Sequence, residues 1–128
     1  SRTRINKRSG VYFFVSMIRG IGTDIVQLAR LNLSHRHFIE RILTPKELAV
    51  FDGIQTSQGQ REFLGGRFAA KEAFMKANHQ GIGQISFQDI EVLNDASGCP
   101  YFTNSPAHIS ISHEKDIAVA FVVIEKED

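Results

Sequence analysis

Phe63-Leu64-Gly65-Gly66-Arg67-Phe68-Ala69-Ala70-Lys71-Glu72-Ala73-Phe74-Met75-Lys76-Ala77 is the stretch on which the reading of this 128-residue chain turns. With Phe68 at zero on a wheel of about 100° per residue, Glu72 falls near 40° and Lys76 near 80°, beside Met75 and Leu64. Ala70, Ala73, Phe74, Ala77 and Phe63 make a second apolar arc, and Arg67 and Lys71 fill the gap on the far side. A surface helix gathers its charges on one face. This one has two greasy surfaces with charges in both seams between them. It reads as a buried helix whose ions must be paired or must hold a ligand, because burying a bare charge is costly.

Outward from that helix, the first half reads as helical and the second as stranded. Residues 18–26, with glycine at 20 and 22, suit a strand running into a turn. Leu28, Leu31, Phe38, Ile39 and Ile42 suggest helix from 27 to about 42, interrupted near 32–34. Thr44-Pro45-Lys46-Glu47 is a helix start with a capping box and proline at the first helical position, and that helix should reach Phe51. Residues 55–60 are polar and read as a mobile loop. Gly81-Ile82-Gly83 closes the charged helix. Beyond it, Ile90-Glu91-Val92 alternates, residues 94–98 are turn chemistry, and 99–102 can form a short edge strand at Pro100. Residues 108–113 place Ile109 and Ile111 on one face. Residues 117–124 are apolar throughout, as a central strand is, and 114–116 join the two as a hairpin. Helices first and an antiparallel meander later make an α+β fold, a sheet with helices packed against it.

Composition bounds the function. The length fits one domain. The net charge is +1, but residues 1–16 carry Arg2, Arg4, Lys7 and Arg8 with no acid, while the rest has 11 basic against 14 acidic residues. Bulk charge therefore gives no case for nucleic acid. A single cysteine, Cys99, excludes an internal disulfide and suits a reducing, cytoplasmic setting. No apolar run approaches the roughly 20 residues of a membrane span. Residues 11–15 form a run too short for a signal peptide. Residues 1–16 are expected to be an N-terminal extension to one domain over 17–128, with Met17 as its natural start.

Several residues can carry chemistry, each with a plainer reading beside it. Asp24 and Glu72, from separate elements, can share a Mg²⁺, which favours one or two carboxylates plus water and phosphate oxygens. Equally, Asp24 can cap a helix and Glu72 can pair with Lys76 at i, i+4. Lys76 can bind phosphate or be half of that pair. Arg67 and Lys71 can hold a phosphate or be solvated. Ser112 and His113 point to opposite faces of a strand, so they do not make a nucleophilic pair. His35 and His37 lack a third zinc ligand. Arg30, Arg36 and Arg41 make residues 30–41 basic, either as a solvated face or as a dock for an acidic partner.

Taken together and in order, these segments resemble the holo-acyl-carrier-protein synthases, the small bacterial 4′-phosphopantetheinyl transferases. The resemblance covers residues 17–124. It rests on Gly22-Thr23-Asp24-Ile25-Val26 with Arg30, and on Arg41-Ile42-Leu43-Thr44-Pro45-Lys46-Glu47 with Phe51. It continues through Gly66-Arg67-Phe68-Ala69-Ala70-Lys71-Glu72-Ala73-Phe74-Met75-Lys76-Ala77, Asp89-Ile90-Glu91-Val92, Gly98-Cys99-Pro100 and Ile109-Ser110-Ile111-Ser112-His113. One such piece is weak evidence, and six in register are specific.

The resemblance implies Mg²⁺-dependent transfer of 4′-phosphopantetheine from coenzyme A to a serine of apo acyl carrier protein, releasing 3′,5′-ADP, in fatty acid biosynthesis. Asp24 and Glu72 would hold Mg²⁺, and Lys76 would meet the phosphate and complete the catalytic set. Arg67, Lys71, Gly81, Pro100 and His113 would contact coenzyme A. Arg30 and Arg36 would face an acidic carrier protein. The family is trimeric, with coenzyme A between subunits. The group that takes the serine proton stays open among Glu72, Asp24 and a metal-bound water. Relatives often carry glycine at His79, so the loop over 79–83 is expected to follow its own path. The competing class is a trimer that holds coenzyme A without turnover. It would have no need for Asp24 and Glu72 to converge.

Overall fold

The computed structural model describes residues 3–6, 13–78 and 85–126. The chain begins with a hairpin of β1 (Thr3–Asn6) and β2 (Phe13–Ser16), paired only with each other. β3 (Ile18–Gln27) leads through a 3-10 turn at Leu28–Arg30 to α1 (Arg36–Ile42), α2 (Pro45–Gly53) and α3 (Ser57–Asn78). A second 3-10 turn, Phe87–Asp89, precedes β4 (Val92–Asn94), β5 (Pro100–Phe102), β6 (His108–Glu114) and β7 (Ile117–Glu125). β3, β7 and β6 form one antiparallel sheet in that order, with β7 central, and β4 pairs with β5. The α+β architecture expected of the sequence is the one observed.

α3 lies across the inner face of the three-stranded sheet, with α1, α2 and the second 3-10 turn on its other side. That sandwiching explains its two apolar arcs. Leu64, Ala69, Ala70, Ala73 and Ala77 are fully buried, as are Ala118, Ala120 and Val122 of β7. Small residues on both surfaces let helix and sheet approach closely. Gly22 of β3 meets the α3 backbone so tightly that a Cβ there would stand 1.9 Å from the Ala73 carbonyl oxygen.

Two local expectations change. Residues 18–26 do not end in a turn: β3 runs unbroken, with Gly20, Gly22 and Val26 on the buried face and Ile21, Thr23 and Ile25 outward. The polar stretch at 55–60 is not a loop beyond Ser57, because α3 starts there. Thr56 supplies the cap that the composition concealed, its Oγ1 accepting from Gly59 N at 3.0 Å. The capping box at Thr44 and Glu47 forms as expected.

Candidate active site

The alternation of β3 decides where Asp24 goes. It shares the inward face with Gly22 and Val26, opposite Ala120 of β7, and so turns toward α3 rather than capping a helix. The following 3-10 turn has Gln27 at its N-cap and no side-chain cap. Because Gly22 brings β3 against Ala73, Asp24 lies beside the α3 residues flanking Ala73, namely Glu72 and Lys76. Lys76 Nζ donates to Asp24 Oδ1 at 3.1 Å and to the Thr23 carbonyl at 3.0 Å. The i, i+4 reading of Glu72 with Lys76 therefore gives way to a bridge between helix and strand.

Asp24, Glu72 and Lys76 line one cavity of about 490 Å³ with Arg30, Phe38 and Phe68. Glu72 is half-buried and receives no hydrogen bond from any described residue. Burial pushes its carboxyl above the ordinary range, the Asp24 charge pushes it further, and Lys76 opposes both. Two acids that repel each other across a cavity are a donor set short of positive charge. Among the described residues no group of three or more His, Cys, Asp and Glu could hold a metal. A cation here would have these two carboxylates and take its remaining ligands from water and substrate oxygens, which suits Mg²⁺. On the other side of Glu72, a second cleft of about 820 Å³ has apolar walls of Leu43, Leu48, Met75, Ile85 and Phe87.

Lys71 is a correction. It was expected to touch coenzyme A, but its side chain is wholly buried and committed elsewhere. Nζ donates to Glu47 Oε1 and to the Ile42 carbonyl, both at 2.6 Å, and to the Phe87 carbonyl at 3.1 Å. Glu47 in turn accepts from the amides of Thr44 at 2.8 Å and Val92 at 2.7 Å. Every strong group in this knot is satisfied, so it ties α1, α2, α3 and β4 together without reaching a ligand.

Arg67 is also buried, at 7% exposure, yet it is not fully satisfied. Nη2 donates to Asn94 Oδ1 at 3.1 Å, the guanidinium lies 4.1 Å over the Phe63 ring, and Nε has no partner. Desolvation lowers its pKa to about 10, against the pull of Glu47. Pro100 pairs across the β4–β5 ladder with Asn94. His113 lies at the end of β6, its Nδ1 3.5 Å from Glu62 Oε2. Arg67, Asn94, Pro100 and His113 thus gather toward β6, while Asp24 is on β3, at the opposite edge of the sheet. The two groups of residues therefore lie at opposite edges of the sheet. In the sequence Asn94 is turn chemistry only, and nothing in its spacing points to Arg67.

Arg30 and Arg41 are exposed and make no ion pair among the described residues. Arg36 is exposed but engaged, in a fork with Asp52 at 2.7 and 2.8 Å and with Glu40 at 3.2 Å, and both acids favour its charged form. Gly81 and His79 lie outside the described residues.

Known proteins share this fold and much of this sequence. The family model of the 4′-phosphopantetheinyl transferase superfamily matches residues 20–122. The holo-[acyl-carrier-protein] synthase of Enterococcus faecalis is 48% identical over 118 residues, covering 87% of this chain and all of that protein. That of Geobacillus kaustophilus is 51% identical, covering 86% and 91%. The crystal structure of the Bacillus anthracis holo-(acyl-carrier-protein) synthase in complex with CoA (3′,5′-ADP) superposes with a TM-score of 0.80 at 49% identity, covering 87% of this chain and 99% of that one. With its helix–sheet geometry and its motifs matched over nearly the whole length, the chain belongs to the 4′-phosphopantetheinyl transferase superfamily.

Proposed function

We propose that the chain is a holo-acyl-carrier-protein synthase, moving 4′-phosphopantetheine from coenzyme A to a serine hydroxyl of apo acyl carrier protein and releasing 3′,5′-ADP, in support of fatty acid biosynthesis. The observation that carries this reading is the convergence of Asp24 and Glu72 on one cavity, with Lys76 Nζ 3.1 Å from Asp24. A protein that only held coenzyme A would have no use for that costly arrangement of like charges.

Phosphoryl transfer asks for alignment and charge neutralisation more than for covalent help. Asp24 and Glu72 would hold Mg²⁺, which when bound supplies the positive charge a diphosphate needs as its bond breaks. Lys76, pinned by Thr23 and Asp24, presents its ammonium at the same point. Both acids line the space the serine must enter, so its proton need not travel to a distant group. Arg67, with a free buried Nε, and His113 suit the nucleotide phosphates. The apolar cleft beyond Glu72 suits the uncharged pantetheine arm.

Self-association follows from the split site. Ile21, Ile25 and Phe121 are 60%, 62% and 53% exposed on the outward face of the sheet. An apolar patch on a sheet face is a surface that wants covering. A closed ring of three copies would cover it and set the Asp24 edge of one beside the Arg67 edge of the next. Arg30 at the cavity mouth, with Arg36 and Arg41 on α1, gives an acidic carrier a basic surface to approach. Residues 17–128 would form the transferase domain, with 1–16 an extension to it. A cytoplasmic setting belongs to the same proposal and is supported by the lone cysteine. Among the described residues no helix is long and apolar enough to cross a membrane.

The test is incubation with coenzyme A, Mg²⁺ and apo carrier protein. The carrier should gain the mass of one phosphopantetheine, and Glu72→Gln should abolish the gain while melting normally. A carrier left unmodified by the unaltered chain defeats the assignment, and near-normal transfer by Glu72→Gln makes Glu72 structural.

A further inference from the structure

α1 has seven residues, too few to hold itself as a helix. Its last carbonyls have no partner within the helix. No side chain of α1 satisfies them. Gln88, on the 3-10 turn, donates its Nε2 to the carbonyls of Glu40 and Leu43, both at 2.7 Å, with Arg41 O at 3.4 Å. Lys71 takes the one between them, Ile42 O. Beyond the Leu43 amide, which donates to the Ile39 carbonyl at 2.9 Å, the C-terminal end of α1 is therefore held by two side chains from outside it.

Gln88 stands on a rigid footing. Ser86 N donates to Asp89 Oδ2 at 2.9 Å, closing the turn, and Asn104 Nδ2 donates to Asp89 O at 2.9 Å. Phe87 packs on Phe68 at 5.5 Å between centroids, and Phe68 on Phe38 of α1 at 6.2 Å. Phe68 also lines the Asp24–Glu72 cavity. The orientation of α1 is thus referred to the reaction centre through the turn. At its N-terminal end the fork between Arg36 and Asp52 fixes α1 to α2.

We propose that Gln88 is a positioning residue for carrier recognition: its amide seats α1, and with it the exposed guanidinium of Arg41, beside the Asp24–Glu72 cavity. This rests on the transferase reading above. Gln88 also lines the apolar cleft given to the pantetheine arm, but its amide nitrogen is spent on α1, so what it offers that cleft is its methylene stem, which methionine keeps. Loss of that donor should leave coenzyme A binding intact and misplace the surface the carrier meets.

The test uses the full chain with Gln88→Met, close in length but without a donor. The KM for apo carrier should rise about five- to tenfold, the scale of one or two lost hydrogen bonds. kcat and the KM for coenzyme A should stay within about twofold, and amide exchange over residues 36–42 should quicken while α3 stays protected. A carrier KM within about twofold of the unaltered chain, or a coenzyme A KM that rises as far as the carrier's, overturns the proposal. A merely structural glutamine would lower the melting temperature and leave the two KM values alone. Failure of the unaltered chain to transfer at all removes the transferase reading, and this one with it. Transfer with an unmoved carrier KM removes this one only.

Discussion

Gly22 and Ala73 set the distance between β3 and α3: a Cβ on Gly22 would stand 1.9 Å from the Ala73 carbonyl oxygen and 2.9 Å from the Ala77 amide nitrogen. Both obstacles are backbone, so neither can rotate away. Gly22→Ala must push strand and helix apart, at a cost of about 3 kcal/mol. The same shift separates Asp24 from Glu72 and Lys76, so transfer should fall more steeply than the folded fraction. Gly53→Ala, where nothing lies within 4 Å of the added carbon, is the control and should be neutral or slightly stabilising. Urea unfolding alongside the transfer rate checks this. A Gly22→Ala chain as stable and active as the original would mean the two elements are not in contact.

The knot of Lys71 and Glu47 makes a different prediction. Removing one partner leaves a buried charge without its counter-ion, so Lys71→Met should lower the unfolding free energy by about 3–5 kcal/mol. Adding Glu47→Gln neutralises that orphan while keeping an acceptor for one backbone amide, and should recover part of the loss. Chemical denaturation of the two singles and the double gives the coupling directly. If the double loses the sum of the two singles, the ion pair is not what holds these elements.

These two examples show what the sequence discloses and what it hides. The wheel of α3 disclosed burial on both sides, and the capping box at Thr44 and Glu47 disclosed the start of α2. The wheel placed Arg67 and Lys71 in one seam, but it could not say which side of that seam met protein and which met a ligand. The answer lay in Glu47, 24 residues earlier. Asp24 was legible as an acid after glycines, but its inward direction depends on the unbroken period of β3. Gly22, which looks like part of a turn signal, is there for close approach to Ala73. Gln88 carried no sequence signal at all, since its role is set by carbonyls on another element.

Glu91 gives a pH signature. Its carboxylate accepts from Thr44 Oγ1 at 2.5 Å and Thr103 Oγ1 at 3.0 Å. The Thr44 hydrogen bond, then that from Thr103 and the charges of Lys46 and Lys71, hold it below the usual glutamate range against the cost of desolvation. A depressed folded value means stability fully present above the unfolded value of about 4.3 and lost as pH falls through the lower folded one. Glu91→Gln should therefore cost on the order of 1 kcal/mol at neutral pH, after screening. That difference should shrink toward zero in acid, where both chains are neutral at this position. Unfolding midpoints at neutral and acid pH test it, and a gap that stays constant across pH would show that ionisation of Glu91 is not involved.

The two half-sites make the last prediction. If each reaction centre joins the Asp24 edge of one chain to the Arg67 edge of its neighbour, Asp24→Asn and Arg67→Ala alone are both inactive. Each lacks a different half. Co-assembled in equal amounts, they should regain about one quarter of the original activity, since in a ring of random composition that share of interfaces pairs two intact halves. Phe121→Glu in both chains places a charge on the apolar outer face and should abolish assembly and rescue together. Light scattering reads the assembly and carrier mass reads the transfer. Co-assembled chains that stay inactive would falsify the shared site and require Arg67 to act within its own chain.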